Sequence, residues 1–220
     1  MSYLSFQDQS SQVGGAAFQN ITDALDPAPQ VVPKQHFVEW FSGDAIDTIW
    51  KVAHFGSGSS GMDDSVNGGF QMTTGAISTN FSTLDMNTIS HYDFDGSVAI
   101  SVIKIDTTSS IFSSYYGLSN GGAFQAHILA SVKDSQSNYY LSNRASATTE
   151  TVSSIAKDTS YHKHKVESTV ASCRYHIDDT LEAISTTNLP DDKMQPFIQH
   201  RTSEDVAKTL NILYYEAFNT

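Results

Sequence analysis

Cysteine is nearly missing from this chain: Cys173 stands alone among 220 residues, which excludes an intrachain disulfide. The residues around it alternate apolar and polar, so the expectation is a buried small hydrophobe rather than a nucleophile. Cations are scarce as well, with 12 Lys and Arg against 24 acids and a formal net charge of −12. A surface that tracks phosphates needs clustered cations. The densest run here is the mixed patch Tyr161-His162-Lys163-His164-Lys165, so neither nucleic acid nor an anionic membrane is an expected partner. No apolar run approaches the roughly 20 residues that span a bilayer. The opening MSYLSFQDQSSQVGG has neither the basic nor the apolar region of a secretory signal. A soluble protein that is not exported by the usual route is expected. Long amphipathic helical patterns are also absent, and SEDVAKT near 203–209 offers at most one turn.

What is present is β-forming. Hydrophobic residues make up 39%, aromatics 11% and charged residues only 16%, enough for a real core and too apolar for wholesale disorder. Residues 1–35 differ from the rest. They are rich in Gln, Ser, Gly and Ala, hold Pro27, Pro29 and Pro33, and show one short helical hint at ITDALD. Pro-x-Pro favours extended backbone, so 1–35 is expected to be an arm or linker that orders against a neighbouring subunit. From Phe37 onward, alternation marks strands in 96–106, 123–132, 163–170 and 209–218. The intervening GSGSSG, NGG, SNGG, KDSQSN and NLPDD carry turn chemistry. Roughly a dozen strands at this spacing predict an antiparallel β-sandwich over 36–220.

The order of these segments carries a resemblance. Tyr161-His162, then Tyr175-His176-Ile177-Asp178-Asp179, Thr187-Asn188-Leu189-Pro190, Met194 with Pro196-Phe197-Ile198, and finally Leu210 to Phe218 follow one another as in concanavalin A-like lectin and glucanase jelly rolls. The resemblance covers about 36–220 and implies an all-β concanavalin A-like jelly roll with an extended N-terminal arm. It places Asp178-Asp179 in a hairpin turn usually made by Asp-Gly.

Glucanases of that superfamily carry E-x-D-x-x-E on one strand, with two working carboxylates about 5–5.5 Å apart. No such motif occurs here, and the segment in the corresponding position, AFQAHILAS, offers Gln125, His127 and Leu129 instead. Hydrolysis by that mechanism is not expected. Gln125-Ala126-His127 has the Q-x-H form of alginate-lyase-like jelly rolls, whose R-x-E-x-R and Y-x-K-x-G-x-Y strands are not matched. A lyase is therefore the weaker enzymatic alternative, and the simpler reading makes both residues polar positions on a solvated sheet face. His162 and His164 share one strand face but lack a third metal ligand. Asp93 and Asp95 lack the Glu that closes a calcium loop. No catalytic residue, metal or cofactor is expected.

Two non-catalytic readings follow. Sugar sites on sandwiches use aromatic faces flanked by amides, carboxylates and guanidinium groups. Tyr116, Gln125, His127, Tyr140, Asn143 and Arg144 are the candidate glycan-binding residues. Adjacent tyrosines on a strand point to opposite faces, so Tyr115-Tyr116 and Tyr139-Tyr140 supply at most one each. The second reading is a virion structural or surface protein, a capsid decoration or tail-associated component made in the host cytoplasm. It rests on the missing signal and disulfides, the arm, and the recurrence of such jelly rolls in phage particles that the resemblance implies. Its partners would be other virion proteins gripped by the arm, host-surface glycan, and further copies of itself in an oligomer or lattice. A stand-alone lectin is the alternative.

Overall fold

The structure, a computed structural model, describes residues 36–42, 44–63, 68–86, 91–108, 111–121, 126–134 and 136–220. The expected arm over 1–35, its helical hint included, lies outside the described residues, and so does Gln125. Among the described residues the chain forms fifteen strands and no helix. The first five are β1 (His36–Trp40), β2 (Lys51–Phe55), β3 (Ser59–Met62), β4 (Phe70–Thr73) and β5 (Phe81–Asp85). Next come β6 (Ser97–Ile105), β7 (Phe112–Ser119), β8 (His127–Val132), β9 (Asn138–Arg144) and β10 (Thr148–Ala156). The last are β11 (His162–Ser168), β12 (Cys173–Ile177), β13 (Thr180–Ser185), β14 (Gln195–Thr202) and β15 (Thr209–Asn219).

They pair antiparallel into two sheets. One runs β13-β12-β11-β6-β15-β4-β3 with β1 also on β15, and the other runs β10-β9-β8-β7-β14-β5-β2. The result is the concanavalin A-like jelly-roll sandwich. The non-sequential neighbours, β6 beside β15 and β7 beside β14, tie the two halves of the chain into both sheets.

The core lies between the sheets and follows from period-2 alternation. Tyr116, Leu118, Ile128, Ala130, Tyr139, Leu141 and Ile198 face inward from the seven-stranded sheet. Ile103, Val166, Cys173, Tyr175, Ile212 and Tyr215 meet them from the eight-stranded sheet. Cys173 is fully buried among them, and burial pushes its thiol up to about 11, so it is packed as an inert hydrophobe.

His162 and His164 do share the inward face of β11, and both are held as structural groups. His164 is fully buried with Nδ1 2.7 Å from the Tyr175 hydroxyl. His162 sits between Asp178 at 2.7 Å and Asp158 at 3.1 Å, so both ring nitrogens are engaged. No group of three His, Cys, Asp or Glu side chains able to hold a metal occurs among the described residues. Asp95 serves the turn before β6, where its carboxylate accepts from the Val170 amide at 3.2 Å and Gly96 adopts φ +76.

One local expectation fails. Residues 203–206 form bends rather than a helical turn. The Thr202 hydroxyl reaches the carbonyls of Glu204 and Val206, both at 3.0 Å, and receives the Glu204 amide at 3.3 Å. A side chain that bonds the nearby backbone in this way competes with the helical ladder.

Candidate functional site

Alternation that buries one set of side chains in the core turns the other set outward, and on the seven-stranded sheet this second set forms ordered rows. One row reads Ala53, Thr83, Gln199, Tyr115, Ser131, Tyr140 and Val152 from β2 across to β10. The next reads Lys51, Asp85, Phe197, Gly117, Leu129, Ser142 and Glu150. A third holds Gln195, Ser119, His127, Arg144 and Thr148.

Although they are outside the sandwich core, Leu129, Phe197 and Tyr140 are at most 2% exposed. They form an apolar floor overlaid by longer polar side chains. Gly117, at φ +148, sits in the middle of that floor, where an added Cβ would meet the Ile128 carbonyl oxygen at 2.5 Å. The same Cβ would stand 3.1 Å from Val166 Cγ2 on the opposite sheet, so close packing toward the core keeps this position a glycine. A cleft of about 410 Å³ opens above, lined by Tyr115, His127, Lys133, Ser142, Arg144, Thr148, Glu150, Gln199 and Arg201.

The local contacts define what each group offers. His127 Nε2 lies 3.1 Å from the Ser142 hydroxyl. Lys133, just past the end of β8, forms an ion pair with Glu150 on β10, one strand beyond its neighbour β9. The Nε of Arg144 is buried without a hydrogen-bond partner among the described residues. Tyr115 is half-buried, and burial raises its phenol above the usual range, so it remains a neutral donor with an aromatic face at neutral pH. Tyr140 is buried more deeply, its hydroxyl raised by desolvation and then by the Glu150 charge. It forms part of the floor rather than an open stacking surface.

Three of the six candidate residues, His127, Tyr140 and Arg144, therefore come together on the outer face. Two others are corrected. Tyr116 points into the core, fully buried with its ring 4.7 Å from that of His164, and its pair-mate Tyr115 takes the outer position. Asn143 also faces inward. Its amide donates to the carbonyls of Thr187 at 2.7 Å and Asn188 at 2.9 Å, clamping the Thr-Asn-Leu-Pro loop after β13. Sequence reasoning missed Lys133, Glu150, Gln199 and Arg201. Alternation counted outward from His127 reaches Lys133, but the cross-strand registers that gather the other three are set by non-local pairing.

The outward carboxylates on the described strands of this sheet are Asp85 and Glu150, at opposite ends of one row. Five strand spacings separate them, about 24 Å at ~4.8 Å each, whereas a retaining glycosidase needs about 5–5.5 Å. The described strands thus hold no such pair. The cleft can bind through hydrogen bonds, guanidinium groups and one aromatic face.

No protein-family profile matches the chain, and no curated protein sequence matches it. Solved structures do resemble it. A protein of unknown function from Shewanella oneidensis MR-1 superimposes with a TM-score of 0.64 at 11% identity, covering 91% of this chain and 92% of its own. The Crh5 transglycosylase gives 0.61 at 14% identity, covering 84% of each chain. The carbohydrate recognition domain of Emp47p gives 0.58 at 6% identity, covering 84% of this chain and 94% of its own. At such identities the likeness carries the fold alone, and that fold is the one lectins and glucanase-type enzymes share.

Proposed function

We propose that the protein is a non-catalytic glycan-binding module whose site is the cleft on the outer face of the seven-stranded sheet. One observation carries the reading. Around an apolar floor, the cleft gathers a half-buried tyrosine, an amide, a histidine and two arginines without a retaining carboxylate pair. This is how sandwich sites hold sugars, with an aromatic face for the ring and polar groups for the hydroxyls. The fold is shared with a carbohydrate recognition domain and with a transglycosylase, which supports the proposal.

Affinity electrophoresis through gels containing different polysaccharides tests it. The full chain should be retarded by at least one of them, and Tyr115→Ala should weaken that retardation about fivefold or more, the worth of an aromatic contact. Tyr116→Phe, in the core, should leave it unchanged. Retardation by no polysaccharide rejects the reading. New reducing ends, or a rise in ultraviolet absorbance from an unsaturated product, would replace it with hydrolase or lyase chemistry.

A second reading, compatible with the first, is a structural component of a virion surface, with host glycan as the bound sugar. It is favoured by Val38 and Trp40, 41% and 67% exposed at successive outward positions of β1, where the Trp40 ring lies beside that of Tyr214. A surface of that kind suits packing against other proteins. The solution mass of the full chain tests it, as argued below.

A further inference from the structure

We infer that the cleft selects anionic saccharides, bearing carboxylate or sulfate groups, over neutral ones; this rests on the glycan-binding reading above. The argument begins with charge. Acids outnumber Lys and Arg two to one in the chain, yet the cleft is lined by Lys133, Arg144 and Arg201 against the single carboxylate of Glu150. Two of the three arginines in the whole chain line it. In a protein carrying −12 overall, a local excess of cations opposes the general field. It serves no solubility purpose and costs repulsion unless an anion occupies it.

Pairing sharpens the point. Glu150 is engaged by Lys133. Among the described residues, neither Arg144 nor Arg201 has a carboxylate within ion-pair distance, and the buried Nε of Arg144 has no acceptor. A buried donor without an acceptor is costly to leave unmade. A planar guanidinium fork matches the two oxygens of a carboxylate or a sulfate.

Placement supplies the spacing. Arg144 lies in the row of His127 and Gln195, and Arg201 pairs across to Ser113 at the far end of β14. Six residues of strand separate Gln195 from Arg201, about 20 Å at ~3.3 Å per residue. The two guanidinium groups thus stand toward opposite ends of a groove, with Tyr115 and Gln199 between them. One contact at each end and an aromatic face in the middle describe an oligosaccharide with repeated anionic groups better than a single charged sugar. Nucleic acid also has repeated anions, but one half-buried tyrosine and a bound Glu150 beside the cations make a poor phosphate track.

The test uses the full chain and isothermal titration with three oligosaccharide probes of similar length: an oligogalacturonate, a sulfated oligosaccharide such as a heparin fragment, and a neutral β-glucan. Polyphosphate is a fourth probe. The expected result is binding to one or both anionic sugars at least about tenfold tighter than to the glucan, with affinity falling as salt rises. Arg201→Gln, at an exposed position, and Arg144→Gln should each weaken it about tenfold. Lys163→Gln, on the other sheet, should not. Whether galacturonate or heparin binds more tightly tells carboxylate from sulfate selection, and either supports the inference. Equal or tighter binding of the neutral glucan, insensitive to salt and to both arginine variants, overturns the inference and leaves the glycan reading standing. No binding of any saccharide overturns both. Polyphosphate binding as tightly as the anionic sugars overturns the saccharide class.

Discussion

At the scale of single residues, the most consequential groups are two histidines that the core keeps neutral. His164 is fully buried among Tyr116, Tyr139 and Tyr175, and desolvation, helped by the neighbouring His162 charge, lowers its pKa from 6.5 to about 3. His200 is equally buried, with Nδ1 2.7 Å from the Ser114 hydroxyl, and desolvation lowers it likewise to about 3. The unfolded chain takes up a proton at each below about 6.5, whereas the native state refuses it until about 3. Stability therefore falls as pH drops through that window, by up to ~1.4 kcal/mol per pH unit for each histidine.

His162 works the other way. Its burial disfavours the charge, but hydrogen bonds and charge from Asp178 and Asp158 outweigh burial and raise its pKa. Its contribution is fully present below 6.5 and is lost as pH rises through the raised value. Below 6.5 His162 adds no further change, so the two buried histidines leave a net loss of stability on the acid side. Urea unfolding at pH 7.5, 5.5 and 4.5 should show the midpoint falling steeply below pH 6, and His200→Gln should flatten that slope by about one proton's worth. A midpoint that does not move across this range would contradict the burial of both rings.

At the scale of an element, the β12–β13 hairpin shows how an acidic turn is made tolerable. Asp178 and Asp179 both adopt left-handed backbone, with φ 48 and 68, the pair of conformations a two-residue type I′ turn requires. Left-handed backbone costs an L-residue roughly 1–2 kcal/mol, less for Asp than for most. Asp178 offsets this, because its carboxylate accepts from the Lys163 amide at 2.9 Å and meets His162 Nδ1 at 2.7 Å. Among the described residues Asp179 makes only an exposed pair with Lys163 at 2.5 Å, and such pairs contribute little. Asp179→Gly should thus stabilise by about 0.5–1 kcal/mol. Asp178→Ala should destabilise by about 1–2 kcal/mol, since it strands a strand amide and a histidine. Chemical denaturation of both variants at neutral pH checks the opposite signs.

At the scale of the whole molecule, the two sheets present different outer faces. The seven-stranded sheet carries the polar cleft, with Phe55 and Val152 exposed toward its two edges, and the eight-stranded sheet exposes Trp40 with its ring 4.4 Å from that of Tyr214. The proposed assembly role belongs to this scale, because β1 begins at His36, directly after residues 1–35. Size exclusion with light scattering should find the full chain as a symmetric oligomer, with a 36–220 truncation and Trp40→Glu both shifted toward monomer. Monomers throughout would count against self-assembly and leave the glycan module as the account of the protein.

Much of the architecture was legible before any coordinates. Period-2 alternation belongs to the covalent geometry of a strand, so the strands at 96–106 and 209–218 and the sandwich itself follow from local text. The same holds for the rule that each tyrosine pair divides between two faces. Alternation alone does not say which member of a pair points outward. That depends on which sheet a strand joins and on its register with strands far away in sequence, and a slip of one residue reverses every side chain. Tyr115 rather than Tyr116 faces the cleft because β7 pairs with β14, about eighty residues on, placing Gln199 opposite Tyr115. The same pairing sets Arg201 at the far end of the cleft, and the pairing of β9 with β8 and β10 turns Asn143 to a loop backbone. Strand chemistry is local and was set by the sequence directly, whereas the cleft is a product of long-range register, which only the tertiary structure decided.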